Sequence, residues 1–207
     1  ICEGLCLGDT SGNNMMYGGM ASGELAKSLE KTSFRAGPRL SQYLKTEAMM
    51  VHPEEFVLLL DKEIKAFKRW ADKNEYLPAI RLNVTSDIPP KYLKPIMDAN
   101  PEVIFYDYTK LDSSPVADNH HLTYSSTGVS QTVGGDQVIN KEQNWDRMKR
   151  LLDKGSNVAM AFTSKSDMPS VVVDEASGKE YQVWNGDNYD ARFLDPKRDD
   201  GVGMIVG

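Results

Sequence analysis

The chain has 207 residues, 40% hydrophobic and 26% charged, with a formal net charge of −6. That size and apolar content suit one domain with a sizeable core, and the acidic balance argues against sequence-independent wrapping of nucleic acid, which needs clustered Lys and Arg. No apolar run approaches the roughly 20 residues that span a bilayer and no signal peptide is visible, so an intracellular protein without a membrane partner is expected.

Residues 1–23 are rich in Gly, Ser and Asn and lack sustained periodicity, so they read as an irregular segment. Both cysteines, Cys2 and Cys6, lie there, and because the chain opens on Ile1 an upstream continuation is an expectation. From Glu24 to Met50 the composition is helical but broken at Gly37 and Pro38, which predicts two short helices. The clearest helix follows. Pro53 suits a first helical position, Glu54 and Glu55 favour the positive end of the dipole, and Phe56, Leu60, Ile64, Phe67 and Ala71 recur at spacings of three and four. Lys65, Lys68 and Arg69 read as its solvated face.

Apolar and polar residues alternate over Pro78–Val84, the first expected strand, which Thr85, Ser86, Asp87 and a proline pair end. Pro90 opens a helix through Leu93, Ile96 and Met97. Glu102–Tyr108 and His121–Ser125 are the second and third strands. A helix with Trp145, Met148, Leu151 and Leu152 on one face ends near Gly155, before a fourth strand at Asn157–Phe162. Tyr181–Trp184 and Val202–Val206 supply a fifth and a sixth. Strands separated by helices imply parallel pairing. The expectation is thus a single α/β domain over 1–207, a partial or complete (β/α) barrel of about six mostly parallel strands. The connection 111–119 is too short for a full helix and strains that scheme.

In such barrels function gathers at the carboxyl ends of the strands, and polar residues recur there: Asn83, Ser86 and Asp87; Asp107, Tyr108 and Lys110; Ser125 and Ser126; Thr163 and Ser164; Asp187, Asp190 and Arg192. Asp87, Asp107, Lys110 and His121 are the candidates for catalysis, and Arg81, Asn83, Ser86, Ser125, Asp187 and Arg192 for holding a cofactor or substrate. Asp87 equally suits a helix cap. Asp107 would need a pairing charge if buried, from Lys110 or Arg192. His120 and His121 face opposite ways on a strand, so at most one enters a given site; His121 is read as a general base, a metal ligand, or a histidine bonded to backbone. A metal-dependent hydrolase using Asp87, Asp107, Asp187 or His121 is a weaker reading.

Cys2 and Cys6 have a separation compatible with two thiolates on one metal or iron–sulfur cluster, against a disulfide or two inert thiols. No phosphate-binding P-loop, Rossmann glycine fingerprint or nucleophile elbow is present.

Several segments in order, Cys2–Cys6 with Ser11-Gly12, Pro53–Phe56, Arg81–Asn83, Thr85–Pro89, Phe105–Lys110, His121–Thr123, Gly155–Ala161 and Asp190–Pro196, together resemble the phage family of unknown function typified by mycobacteriophage gene product eighty-eight. Through that family the chain is distantly similar to radical S-adenosylmethionine enzymes. The resemblance implies a further cysteine upstream of the pair and an iron–sulfur enzyme binding a 4Fe–4S cluster and S-adenosylmethionine, with Cys2 and Cys6 as ligands. Its partners would be small-molecule or nucleotide-like ligands, and it would act in the cytoplasm of an infected bacterial host. The alternative is a non-catalytic phage protein on an enzyme-like scaffold, a host-directed binding module with a protein partner or a virion component.

Overall fold

A computed structural model describes residues 49–84, 88–126, 130–134 and 136–207. The expected irregular segment 1–23, with Cys2 and Cys6, and nearly all of the expected helix pair up to Met50 lie outside them. So do Ser86 and Asp87. The chain divides into two compact units, Ile1–Trp70 and Ala71–Gly207.

In the first unit the described residues are mostly helix α1, Pro53–Lys73, whose last residues belong to the second. Its acidic first turn, Glu54 and Glu55, faces the positive end of the dipole. The Phe56 N–H donates to the His52 carbonyl at 2.9 Å, Lys65 reaches Asp61 one turn back at 2.7 Å, and the Phe67 and Trp70 rings stack at 6.0 Å. The helix stops where Glu75 takes a positive φ of 60° and Tyr76 N–H turns back to the Ala71 carbonyl at 2.9 Å.

The second unit is built on a seven-stranded sheet. In chain order its elements are β1 (Ala79–Ile80), α2 (Pro90–Asp98), β2 (Ile104–Thr109), β3 (His120–Ser125), a separate antiparallel hairpin of β4 (Ser130–Val133) and β5 (Asp136–Ile139), α3 (Lys141–Asp153), β6 (Val158–Ala159), β7 (Val171–Val173), β8 (Glu180–Trp184) and β9 (Ile205–Val206). Short 3-10 turns occupy Lys165–Asp167, Gly186–Asn188 and Arg192–Leu194. All six expected strands are present and parallel, several of them shorter than expected.

The barrel is corrected to an open sheet. Its order is β1-β2-β3-β6-β9-β8-β7, with β1 and β7 at the edges. A (β/α) barrel needs consecutive strands side by side until the last meets the first. Here β9 inserts between β6 and β8, and β7, unforeseen in the sequence, pairs antiparallel with β8 and terminates the ladder.

The short connection between the second and third strands forms without a helix. Asn119 closes it: its side-chain amide lies 3.2 Å from the Met97 carbonyl and 2.9 Å from those of Asn100 and Val103, tying the entry to β3 onto the exit from α2. Helix α3 starts on Asn140, whose side chain accepts from Gln143 N–H at 3.0 Å. Its Met148, Leu151 and Leu152 bury against Tyr124, Val158, Tyr181 and Ile205 as the core, at roughly 1.5–3 kcal/mol for each large apolar side chain removed from water. No helix among the described residues is long and apolar enough to cross a membrane.

Candidate functional site

Alternation along β2 and β3 sorts their polar residues between two sheet faces. Phe105, Asp107, Thr109, His120, Leu122 and Tyr124 share one, all buried. Tyr106, Tyr108, His121 and Thr123 share the other; parallel register sets Tyr106 beside His121 and Tyr108 beside Thr123.

On the first face Asp107 and His120 form a buried pair, each side chain 1% exposed, with His120 Nε2 3.8 Å from Asp107 Oδ2. The Asn83 backbone N–H donates to Asp107 Oδ1 at 2.6 Å, while the Asn83 side chain closes a loop by accepting from Ile88 N–H and donating to the Ile88 carbonyl. Val116 N–H donates to His120 Nδ1 at 3.3 Å, so the neutral ring carries its proton on Nε2, toward the carboxylate. Burial, then the neighbouring His121, hold the His120 pKa down at about 4. Asp107 thus has His120 as a neighbour on its own face, while Arg192 pairs with Asp195. Nδ1 is occupied, while Nε2, turned to Asp107, has no hydrogen-bond partner among the described residues.

On the second face, beyond the carboxyl ends of β1 and β2, Arg81 Nη1 meets Asp190 Oδ2 at 3.2 Å, its guanidinium lies 4.7 Å above the Tyr108 ring, and the Tyr108 hydroxyl donates to Asp190 Oδ1 at 3.5 Å. Burial raises the Tyr108 pKa, Arg192 and Arg81 oppose the rise, and Asp190 and Asp195 add to it. Arg192 itself is buried. Its Nη2 donates to the carbonyls of Gly186, at 3.1 Å, and Tyr189, and its Nη1 stands 3.6 Å from Asp195 Oδ1, both side chains at most 2% exposed. Only glycine fits at 186, because a Cβ would come within 2.9 Å of that Nη1 and 2.6 Å of Val206 Cγ1. Nε and Nη1 of Arg192 have no hydrogen-bond acceptor among the described residues. Burial pushes the Asp195 carboxyl up while Arg192 and the Asn157 side chain pull it back.

A cavity of about 430 Å³ opens along the amino ends of β3, β6 and β9, lined by His121, Thr123, Asn157, Arg192, Phe193, Asp195, Lys197 and Arg198 among others. Its far wall is the close approach of residues 155–157 to 201–203, where a Cβ on Gly203 would fall 2.0 Å from the Ser156 carbonyl oxygen. Arg192 pairs with Asp195 and Arg198 with Asp200. Lys197 and Asp118, which also line the cavity, make no ion pair among the described residues. Burial, then the nearby Lys197, lower the His121 pKa, leaving a neutral imidazole at neutral pH.

The candidates therefore separate. Arg81 joins Tyr108 and Asp190; Asn83 joins Asp107 on the opposite face; His121 and Arg192 meet at the cavity. Lys110 contributes its backbone carbonyl to Arg147, at 3.4 Å, Ser125 stays at the end of β3, and Asp187 pairs on the surface with Lys165 at 3.2 Å. Among the described residues no group of three or more His, Cys, Asp or Glu side chains could hold a metal ion. The residues sequence reasoning passed over are His120, Asn157, Phe193, Asp195 and Lys197; the run Arg192-Phe-Leu-Asp-Pro-Lys-Arg198, dense in charge around one aromatic ring, was the available signal.

A family model described as Gene product 88 matches residues 25–205. No curated protein and no solved structure matches the chain.

Proposed function

The chain belongs to the Gene product 88 family, a phage family of unknown function, and from that premise we propose that it works by binding a small anionic molecule in the cavity at the amino ends of β3, β6 and β9. The observation that carries this reading is the pairing of charges there. Arg192 and Arg198 are taken by Asp195 and Asp200, while Lys197 has no ion-pair partner among the described residues and stands close enough to a neutral His121 to lower its pKa. An anion at Lys197 would pair its charge and could accept from a His121 ring N–H. The Thr123 hydroxyl and the Asn157 amide supply neutral hydrogen bonds, and Asp118 repels more extended anions.

Binding by itself requires no reaction, so this reading sits with the non-catalytic alternative. The iron–sulfur reading rests on Cys2 and Cys6, outside the described residues, and no step is built on it. The test is calorimetric titration of the full chain with inorganic phosphate and a panel of metabolite-sized carboxylates. At least one should bind, Lys197→Ala should weaken it about tenfold, roughly 1.4 kcal/mol, and Asp118→Asn should tighten it. Equal affinities for the wild type and Lys197→Ala would overturn the reading.

A further inference from the structure

The cavity is too large for a bare anion. At about 430 Å³ it exceeds the share of liquid volume of ten waters, roughly 30 Å³ each, and it falls in the range of organic ligand pockets, roughly 300–1,000 Å³. Leu122, Phe193 and Val202 line it alongside the polar groups. Phe193 is not an isolated ring. Its centroid lies 5.5 Å from Tyr106 in an edge-on arrangement and 6.0 Å from the tilted His121 ring, so two sheet residues brace it from the side. A braced ring loses little freedom when a second ring packs on it, which favours stacking. The same 3-10 turn that positions Phe193 leads within a few residues to Lys197, so one segment carries both an aromatic and a cationic contact.

We infer that the ligand is a planar aromatic molecule bearing one anionic group, of the nucleoside monophosphate class, with its ring system against Phe193 and His121 and its anion at Lys197. This rests on the anion-binding reading above. The Thr123 hydroxyl offers a donor and an acceptor to the edge of such a ring or to its sugar, while Asn157, whose side-chain oxygen accepts from Met204 N–H at 2.9 Å, can contribute only amide hydrogens.

Adenosine monophosphate, adenosine and inorganic phosphate, titrated separately into the full chain at fixed salt, test it. The monophosphate should bind at least about tenfold more tightly than either adenosine or phosphate, in line with base–aromatic stacking of about 1–3 kcal/mol. Phe193→Leu keeps an apolar side chain but removes the ring; it should erase the advantage over phosphate and leave phosphate affinity unchanged, with an unshifted Tm showing that it folds. Phe193→Ala should do the same where it folds. A monophosphate that binds no more tightly than phosphate, or an advantage that survives Phe193→Leu in a folded protein, overturns the inference and leaves the anion site standing. Adenosine binding as tightly as its monophosphate also overturns it. If neither phosphate nor the monophosphate binds, this inference falls, and the anion reading falls with it when the carboxylates fail to bind as well.

Discussion

The two ends of the parallel strands carry polar groups of opposite kinds. At the carboxyl ends Arg81, Tyr108 and Asp190 answer one another, cation to carboxylate to hydroxyl, with Arg81 Nε left without an acceptor among the described residues. At the amino ends the residues around the cavity are answered only in part: Arg192 retains donors without acceptors among the described residues, and Lys197 has no ion-pair partner among them. A cluster that completes its own hydrogen bonds holds a structure together, whereas an incomplete one keeps binding capacity for a ligand. Strand direction alone, which favours the carboxyl ends in parallel sheets, therefore points to the better satisfied of the two.

The largest expected effect tests whether the buried ion pair belongs to the scaffold of the cavity. Arg192→Met should destabilise the protein by about 3–5 kcal/mol, because it strands the Asp195 carboxylate at 1% exposure. Arg192→Met combined with Asp195→Leu should recover most of that loss, since no buried charge is left unpaired. Urea denaturation of both variants measures the difference; equal losses would mean that the two residues are not coupled.

A second effect sets the buried face against the cavity face. Folded His120 titrates near 4 against an ordinary 6.5, so between these values the unfolded chain binds the proton and the folded chain does not. Stability is then full above about 6.5 and falls as the pH drops toward 4. His121, also lowered, acts in the same direction. Asp174 and Asp200, lowered from 3.8 to about 2, lose their contribution only below 3.8, a separate window. His120→Asn keeps an acceptor for Val116 N–H and should flatten the slope between pH 4 and 6.5 in denaturation curves; an unchanged slope would move the effect elsewhere.

Legibility followed the range of the interactions. The six parallel strands and helices α1, α2 and α3 were readable because each is set by local periodicity and end residues: Pro53, Pro90, and Gly155 after α3. The open sheet was not, because the insertion of β9 between β6 and β8 is a choice of neighbours that no local pattern encodes. Strand β7, Val171-Val-Val173, is three residues long and too short for alternation to show. For the site, alternation separated His120 from His121 correctly, but pairing Asp107 with His120 needed the register Phe105↔His120 between strands far apart in sequence. Arg192 was picked out as a strand-end residue, whereas its actual role comes from a 3-10 turn that folds back over the sheet and brings Phe193 and Lys197 with it.

A third, smaller effect probes the wall of the cavity. Gly203→Ala would place a methyl 2.0 Å from the Ser156 carbonyl oxygen, a backbone atom that can move only with its segment. About 2 kcal/mol of destabilisation is expected, together with weaker binding of whatever anion the wild type takes, as 155–157 and 201–203 are forced apart. Thermal denaturation and calorimetry on one preparation read both. Full affinity in a destabilised variant would place the ligand away from this wall.

The smallest effect is the sharpest comparison between the two ends. Asp190 is 63% exposed where it meets Arg81, and solvent-exposed ion pairs typically contribute only about 0.2–1 kcal/mol. Asp190→Asn should therefore cost less than about 1 kcal/mol in urea denaturation, since the amide oxygen can still accept from Arg81 while its NH2 donates to the Tyr108 hydroxyl oxygen. Its expected effect on anion affinity in the cavity is none. The opposite result would carry more weight than its size: if Asp190→Asn abolished ligand binding while Lys197→Ala left it intact, the carboxyl-end cluster would be the working surface, its internal bonds the resting state that a ligand displaces.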